Sequence, residues 1–343
     1  MEWIRGETIG FGTFSTVSLA SPSNNDSGEF PPLMAVKSAD SYGAASLVNE
    51  KSVLDKLGDK CDEIVRCFGD DRTVENGEEM HNLFLEYASR GSLESYIKSL
   101  GGEGLPESTV RLHTGSVLRG LRHIHANGVA HCDLKLGNIL LFGDGAVKIA
   151  DFGLAKRIGE VTALDEGVQI RGTPLYMAPE AVNDNEYGSE GDVWALGCAV
   201  VEMFSGKTAW SFKEGSNFMS LLIRIGVGEE LPMIPEKLSE QGRDFLSKCF
   251  VKDPKKRWTA EMLLHHPFVA VDLDHDGLVE EGLVLNLKTE EVSTSPRCPF
   301  EFPDWVSVSS GSQTIDSAED RVASLATDSI PDWSVTNSWI TVR

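Results

Sequence analysis

His131-Cys132-Asp133-Leu134-Lys135-Leu136-Gly137-Asn138 sets a carboxylate, an ammonium and a primary amide close together, and Asp151-Phe152-Gly153 follows after a hairpin whose turn is Gly143-Asp144-Gly145. Working outward toward the N-terminus, Gly10-Phe11-Gly12-Thr13-Phe14-Ser15-Thr16-Val17 carries two glycines that permit a tight backbone approach to phosphates. By itself such a turn is more often a plain hairpin. Ser15 stands where the third glycine of G-x-G-x-x-G would fall, and Val17 opens a returning strand, not the helix that a Rossmann fingerprint needs. Met34-Ala35-Val36-Lys37 ends an apolar strand on a lysine, and Glu50 flanks the apolar face of a predicted helix, placed to meet Lys37 across the packing interface. On a surface such a pair adds only about 0–1 kcal/mol. Toward the C-terminus come Gly172-Thr173-Pro174-Leu175-Tyr176-Met177-Ala178-Pro179-Glu180, then Asp192-Val193-Trp194-Ala195-Leu196-Gly197, then Asp253-Pro254 and Arg257.

Taken in order from about Trp3 to Val269, these eight elements resemble the signature set of the protein kinase superfamily. The resemblance implies an α+β, bilobal kinase fold: a small β-rich lobe with one helix over 1–87 and a larger helical lobe over 88–271, joined by a hinge near 86–91. It also implies roles. The backbone around Ile9, Gly10, Phe11, Gly12, Thr13, Phe14, Ser15 and Thr16 would cover the phosphates of ATP. Lys37, oriented by Glu50, would hold the α- and β-phosphates, and Asn138 and Asp151 would bind Mg²⁺. Asp133 would take the proton of the attacking hydroxyl, and Lys135 would sit beside the γ-phosphate. Val17, Ala35 and Leu140 would enclose adenine, with Leu85 as gatekeeper and the Glu86-Tyr87-Ala88 hinge offering it a carbonyl and an amide. Lys135 with Thr173 resembles the serine/threonine pattern, in which the threonine hydroxyl bridges the catalytic aspartate and lysine. Asp192 is expected to anchor the catalytic loop, and Glu180 to pair with Arg257.

Cys132 departs from the pattern, because many kinases carry there an arginine that pairs with a phosphorylated activation loop. Cysteine makes no charge-assisted bond to phosphate. Activation is therefore expected not to use that clamp, with Thr162 and Thr173 as loop candidates, and the nearby Asp133 is expected to disfavour a reactive Cys132 thiolate. The opening Trp3–Gly10, Gly91-Ser92-Leu93 and the Gly172–Glu180 run resemble MEKK-like mitogen-activated protein kinase kinase kinases, particularly a plant stress-responsive subgroup. That resemblance implies a MAP kinase kinase as substrate, in stress or abscisic-acid signalling. Two rivals stay open: a serine/threonine kinase of another group, and a scaffold that binds a MAP kinase kinase without phosphorylating it.

Short strand runs at Thr16–Ala20, Leu33–Lys37, Ile64–Gly69 and Leu83–Tyr87 surround a helix with Ala44, Leu47, Val48, Leu54 and Leu57 near a 3.6-residue period. Pro106 opens a helix that sets Val110, Val117, Leu118, Leu121 and Ile124 on one face and stops at Gly128. The 343 residues exceed one ordinary domain, and 31 Lys+Arg against 53 Asp+Glu give −22, a charge that repels nucleic acid. Of that, −10 belongs to an acidic, Ser/Thr-rich tail over 272–343, with 14 acidic and 4 basic residues. Its apolar content is too low to offset an ordering cost of about 1–2 kcal/mol per residue, so the tail is expected to be mostly disordered. The tail holds Pro303-Asp304-Trp305 and Pro331-Asp332-Trp333, anchors for a regulator or for folding back on the catalytic region. Asp272-Leu273-Asp274-His275-Asp276-Gly277 opens like a calcium loop, but Leu283 stands where the bidentate glutamate belongs. Six cysteines without C-x-x-C pairs, no run long enough for a bilayer and no leader or lipidation signal predict a cytoplasmic or nuclear chain that engages no membrane. The oligomeric state is not legible.

Overall fold

The computed structural model describes residues 2–12, 14–23, 30–159, 170–211 and 218–270. Thr13, Thr162 and everything read in the tail lie outside the described residues. The first lobe is an antiparallel sheet of β1 (Trp3–Phe11), β2 (Thr16–Pro22), β3 (Met34–Ala39), β4 (Cys67–Glu75) and β5 (Glu78–Glu86), in the order β1-β2-β3-β5-β4. Helix α1 (Ala44–Leu57) crosses one face of it and buries Leu47, Glu50, Val53, Leu54 and Leu57. β3 is central and buried along its whole length, so Lys37 leaves it into the interior beneath α1.

Two expectations need correction. Val48 is 54% exposed. One residue advances a helix by about 100°, so burying Leu47 turns its neighbour outward. The strand expected at Ile64–Gly69 begins only at Cys67 and runs on to Glu75, while Ile64 makes a single bridge to Ile149. β4 is an edge strand, where solvent accepts charged residues such as Asp70, Asp71 and Arg72, so its apolar signal is weak.

The second lobe opens with α2 (Leu93–Ser99), capped by reciprocal bonds between Ser92 and Ser95, and α3 (Glu107–Ala126). Val110, Val117, Leu118, Leu121 and Ile124 are buried as their spacing predicts, and Gly128, at φ +67°, lies just past the helix end. β6 (Val129–Ala130), β7 (Ile139–Leu141), β8 (Val147–Ile149) and β9 (Lys156–Arg157) form two small antiparallel pairs, the hairpin β7 with β8 and, from either side of it in the chain, β6 with β9. Around them pack α4 (Pro179–Asp184), α5 (Ser189–Ser205), α6 (Phe218–Gly226), α7 (Glu240–Cys249) and α8 (Ala260–Leu264). Helix α5 is apolar nearly all round, with Val193, Trp194, Leu196, Cys198, Ala199 and Val200 buried, as befits the central helix of its lobe. Among the described residues no helix is long and apolar enough to cross a membrane.

Candidate active site

Three charged side chains from three elements meet where the lobes join. Lys37 Nζ lies 2.7 Å from Glu50 Oε2 and 2.8 Å from Asp151 Oδ1. Glu50 is fully buried, so this is no surface pair, and its other oxygen accepts the Phe152 N–H at 3.1 Å. Burial disfavours the Lys37 charge, yet Asp151 and Glu50 outweigh it and hold the ammonium well above its ordinary range. Burial pushes the Glu50 carboxyl up, against the pull of Lys37. Burial also opposes the Asp151 charge, but Lys37 overcomes it and brings that carboxyl down to about 2. The cluster is thus a fixed cation with an ionised carboxylate beside it.

The second cluster is built on the loop after β6. Asp133 Oδ1 accepts the Thr173 hydroxyl at 2.7 Å, and Oδ2 lies 2.9 Å from Lys135 Nζ and 3.1 Å from Asn138 Nδ2. Lys135 also donates to Thr173 Oγ1 at 2.9 Å, closing the bridge that the resemblance implied. Asn138 Nδ2 donates as well to the Asp133 carbonyl, at 2.8 Å, which leaves Oδ1 as the amide's acceptor end. His131 was read only as part of the motif. Its Nδ1 accepts the Asp133 N–H at 3.3 Å, so Nε2 carries the proton and donates to the Ala150 carbonyl at 3.0 Å, with the ring edge-on to Phe152. The imidazole ties the Asp133 loop to the Asp151-Phe152-Gly153 segment.

Asp192, on the buried α5, accepts the N–H groups of His131 at 2.8 Å and Cys132 at 2.9 Å, and bonds His125 Nε2 at 2.8 Å. His125 is a partner that sequence spacing did not reveal. Burial opposes the Asp192 charge, but these donors hold its carboxyl below the usual carboxylate value. A depressed native pKa adds stability that is complete above the unfolded carboxylate range and disappears as pH falls through the native value. Asp192→Asn is therefore expected to flatten the acid limb of the stability–pH curve, measured by urea unfolding between pH 7 and pH 3.

Cys132 and Asp151 both adopt positive φ, 65° and 64°, a conformation that residues other than glycine avoid. Strain is thus concentrated at the site. The Cys132 thiol is pushed far up, first by burial and then by the charge of Asp192, so the group disfavouring a thiolate is Asp192 and not the expected Asp133. Beside Cys132 lies a cavity of about 30 Å³ bounded by Arg171, Thr173 and Tyr187, with room for one or two waters.

On the other wall, Gly10 pairs with Val17 and Phe11 with Thr16 across the first hairpin, while the Gly12 N–H donates to the Ser15 carbonyl at 2.7 Å. Phe14 presses on Gly43 at the start of α1, where a side-chain carbon would collide with the Phe14 carbonyl. Ile9, Val17 and Leu140 are half-buried against the same apolar core as Ala35, which pairs with Leu85. The Glu86 N–H is spent on the Arg66 carbonyl and the Ala88 carbonyl on the Gly91 N–H. Lys148 holds the Glu86 carboxylate at 2.8 Å.

Residues 3–269 match the family model described as "Protein kinase domain". The chain is 73% identical over 346 residues to mitogen-activated protein kinase kinase kinase 20 of Arabidopsis thaliana, with all of both chains covered. To mitogen-activated protein kinase kinase kinase 18 of the same organism it is 39% identical, covering 84% of this chain and 83% of the relative. To the serine/threonine-protein kinase BCK1/SLK1/SSP31 of Saccharomyces cerevisiae it is 36% identical over 79% of this chain and 18% of the relative.

Proposed function

Because the chain belongs to the protein kinase family and is a serine/threonine kinase of the MAP kinase cascade, we propose that it transfers the γ-phosphate of ATP to Ser or Thr in the activation segment of a MAP kinase kinase. The observation that carries this reading is the pair of clusters, Lys37–Glu50–Asp151 and Asp133–Lys135–Thr173, linked by His131, which accepts the Asp133 N–H and bonds the Ala150 carbonyl just before Asp151. Asp151 and the Asn138 amide oxygen are hard oxygen donors, and Mg²⁺ takes one or two such protein ligands with phosphate and water completing the shell. These residues fit the ion. When bound, Mg²⁺ neutralises charge that builds on the transferred phosphoryl group.

The chain's own groups do the rest. Lys37 is held charged and pinned by two carboxylates, ready to grip the α- and β-phosphates, and the backbone of the hairpin that carries Gly10 and Gly12 would cover them. Val17, Ala35 and Leu140 would enclose the adenine ring, and the Glu86 carbonyl and the Ala88 N–H would be the hinge groups offered to it. Asp133 takes the proton of the substrate hydroxyl while Lys135, tied to it through Thr173, faces the γ-phosphate. Fixing these groups before reaction supplies positioning and electrostatic stabilisation together.

The test is to incubate the purified chain and its Asp151→Asn variant with ATP–Mg²⁺ and catalytically dead MAP kinase kinases, then map the phosphosites. Transfer to activation-segment Ser/Thr that vanishes in the variant supports the proposal. Binding without transfer would establish a scaffold, and transfer only to unrelated proteins another kinase group.

A neutral thiol at Cys132 cannot grip a phosphate, so activity is proposed not to need a phosphorylated loop. Chain treated with phosphatase is expected to keep its kcat within about threefold; a loss of tenfold or more would refute this. The stress or abscisic-acid setting is proposed from the resemblance of the Trp3–Gly10, Gly91-Ser92-Leu93 and Gly172–Glu180 stretches to a plant stress-responsive subgroup. Comparing the activity of the chain recovered from treated and untreated plant cells tests it, and imaging a tagged chain tests the cytoplasmic or nuclear placement. The acidic tail is proposed to bind a regulator through its Pro-Asp-Trp segments, which removal of residues beyond 290 tests in the same assay.

A further inference from the structure

Asn49 precedes Glu50 on α1, and no motif marks it. Its side-chain Nδ2 donates to three backbone carbonyls of the Asp151 segment: Phe152 at 3.3 Å, Gly153 at 3.1 Å and Ala155 at 2.9 Å. The segment turns there, with the Ala155 N–H bonded to the Phe152 carbonyl at 3.0 Å, so three carbonyls converge on one –NH₂ group with two protons. On the same face of α1, Glu50 accepts the Phe152 N–H, and Ser46 packs so closely on Gly153 that a side-chain carbon there would collide with its hydroxyl. One turn of helix therefore reads the Phe152 N–H and the carbonyls of Phe152, Gly153 and Ala155, while the Leu154 carbonyl accepts from Arg171 at 3.1 Å. Immediately before them Asp151 is held at φ +64°, a strained conformation that persists only where neighbours enforce it. The other end of the segment is pinned by pairing of Lys156 with Ala130 and Arg157 with Val129.

We propose that Asn49 is a positioning residue: its amide clamps the Phe152, Gly153 and Ala155 carbonyls to α1 and so fixes the Asp151 carboxylate beside Lys37. The clamp carries no net charge and needs no phosphate, which suits a chain whose residue before Asp133 is a neutral cysteine. The proposal rests on the assignment of Asp151 as a metal-holding group. The clamp itself can be read without nucleotide.

The test uses the full chain with Asn49→Ala, the isosteric Asn49→Asp, Glu50→Gln and the Asn49→Ala/Glu50→Gln double variant. Without nucleotide, hydrogen exchange at the Phe152 and Ala155 amides is expected to speed up about tenfold in Asn49→Ala, the equivalent of one ordinary hydrogen bond. With ATP–Mg²⁺, kcat is expected to fall about tenfold while KM for ATP moves less than about twofold. Asn49→Asp places a carboxylate against three carbonyls and should lose more. If both residues act through the same segment, the double variant is little worse than Glu50→Gln alone. Unchanged exchange in Asn49→Ala, wild-type kcat in Asn49→Asp, or fully multiplicative losses would each overturn the clamp. Faster exchange with unchanged kcat would refute its bearing on Asp151 alone. Should Asn49→Asp fail to fold, Asn49→Ala decides.

Discussion

Asp133→Asn is expected to lower kcat by about 10²–10⁴-fold, the usual worth of a positioned general base, while KM for ATP stays within about threefold. The substitution preserves shape. Oδ1 can still accept the Thr173 hydroxyl, but the atom facing Lys135 and Asn138 Nδ2 changes from an acceptor of two donors into a donor itself. Lys135 then loses its ion pair as well as the base losing its charge, so the larger end of the range is favoured. Thr173→Ala should sit between the variant and the native chain, because it removes the bridge between Asp133 and Lys135 and leaves both charges. Thr173→Ser, which restores a hydroxyl, should recover most of the loss. Single-turnover kinetics with saturating nucleotide checks all three. A loss in Asp133→Asn confined to KM would mean that Asp133 only helps to bind substrate.

The residues of that cluster were legible because they are local. Asp133, Lys135 and Asn138 share one loop, and Asp151 follows a hairpin whose turn is written in Gly143 and Gly145. Lys37 and Glu50 could be paired because a strand ending in lysine and an amphipathic helix each declare their periods. What escaped notice depends on tertiary packing. Asn49 meets carbonyls more than a hundred residues away, and His125 meets Asp192 from another helix. Backbone carbonyls carry no side-chain signature, so nothing in the chain announces an amide that serves them. The polar edge strand β4 was shortened, and Val48 was assigned to the core, for a related reason: apolar content marks central strands and helix faces only approximately. The tail's acidity and repeated Pro-Asp-Trp were plain in composition, but composition gives no address for an anchor.

Arg257→Ala is expected to look like a catalytic defect and to be a folding one. Arg257 donates to both oxygens of Glu180, at 2.6 and 3.0 Å, and also to the carbonyls of Glu190 at 2.7 Å and Val251 at 2.9 Å, with its guanidinium over the Trp194 ring. The Arg257 side chain is wholly buried and that of Glu180 nearly so. Removing one partner strands a charge and several carbonyls away from water, which costs about 3–5 kcal/mol. That is a large share of the roughly 5–15 kcal/mol by which a domain is usually stable. Urea unfolding should show the loss directly, and total activity should fall with the folded fraction. Normalised to folded protein by active-site titration, kcat should stay near the native value, the reverse of Asp133→Asn. Arg257→Lys keeps the charge but not the two-pronged geometry, so it should fall between. Glu180→Leu with Arg257→Met removes both charges and should be more stable than Arg257→Ala, because no ion is then left unpaired. A normalised kcat that dropped with stability unchanged would instead put the ion pair in the chemistry, more directly coupled to Asp133 than its position between α4 and α5 implies.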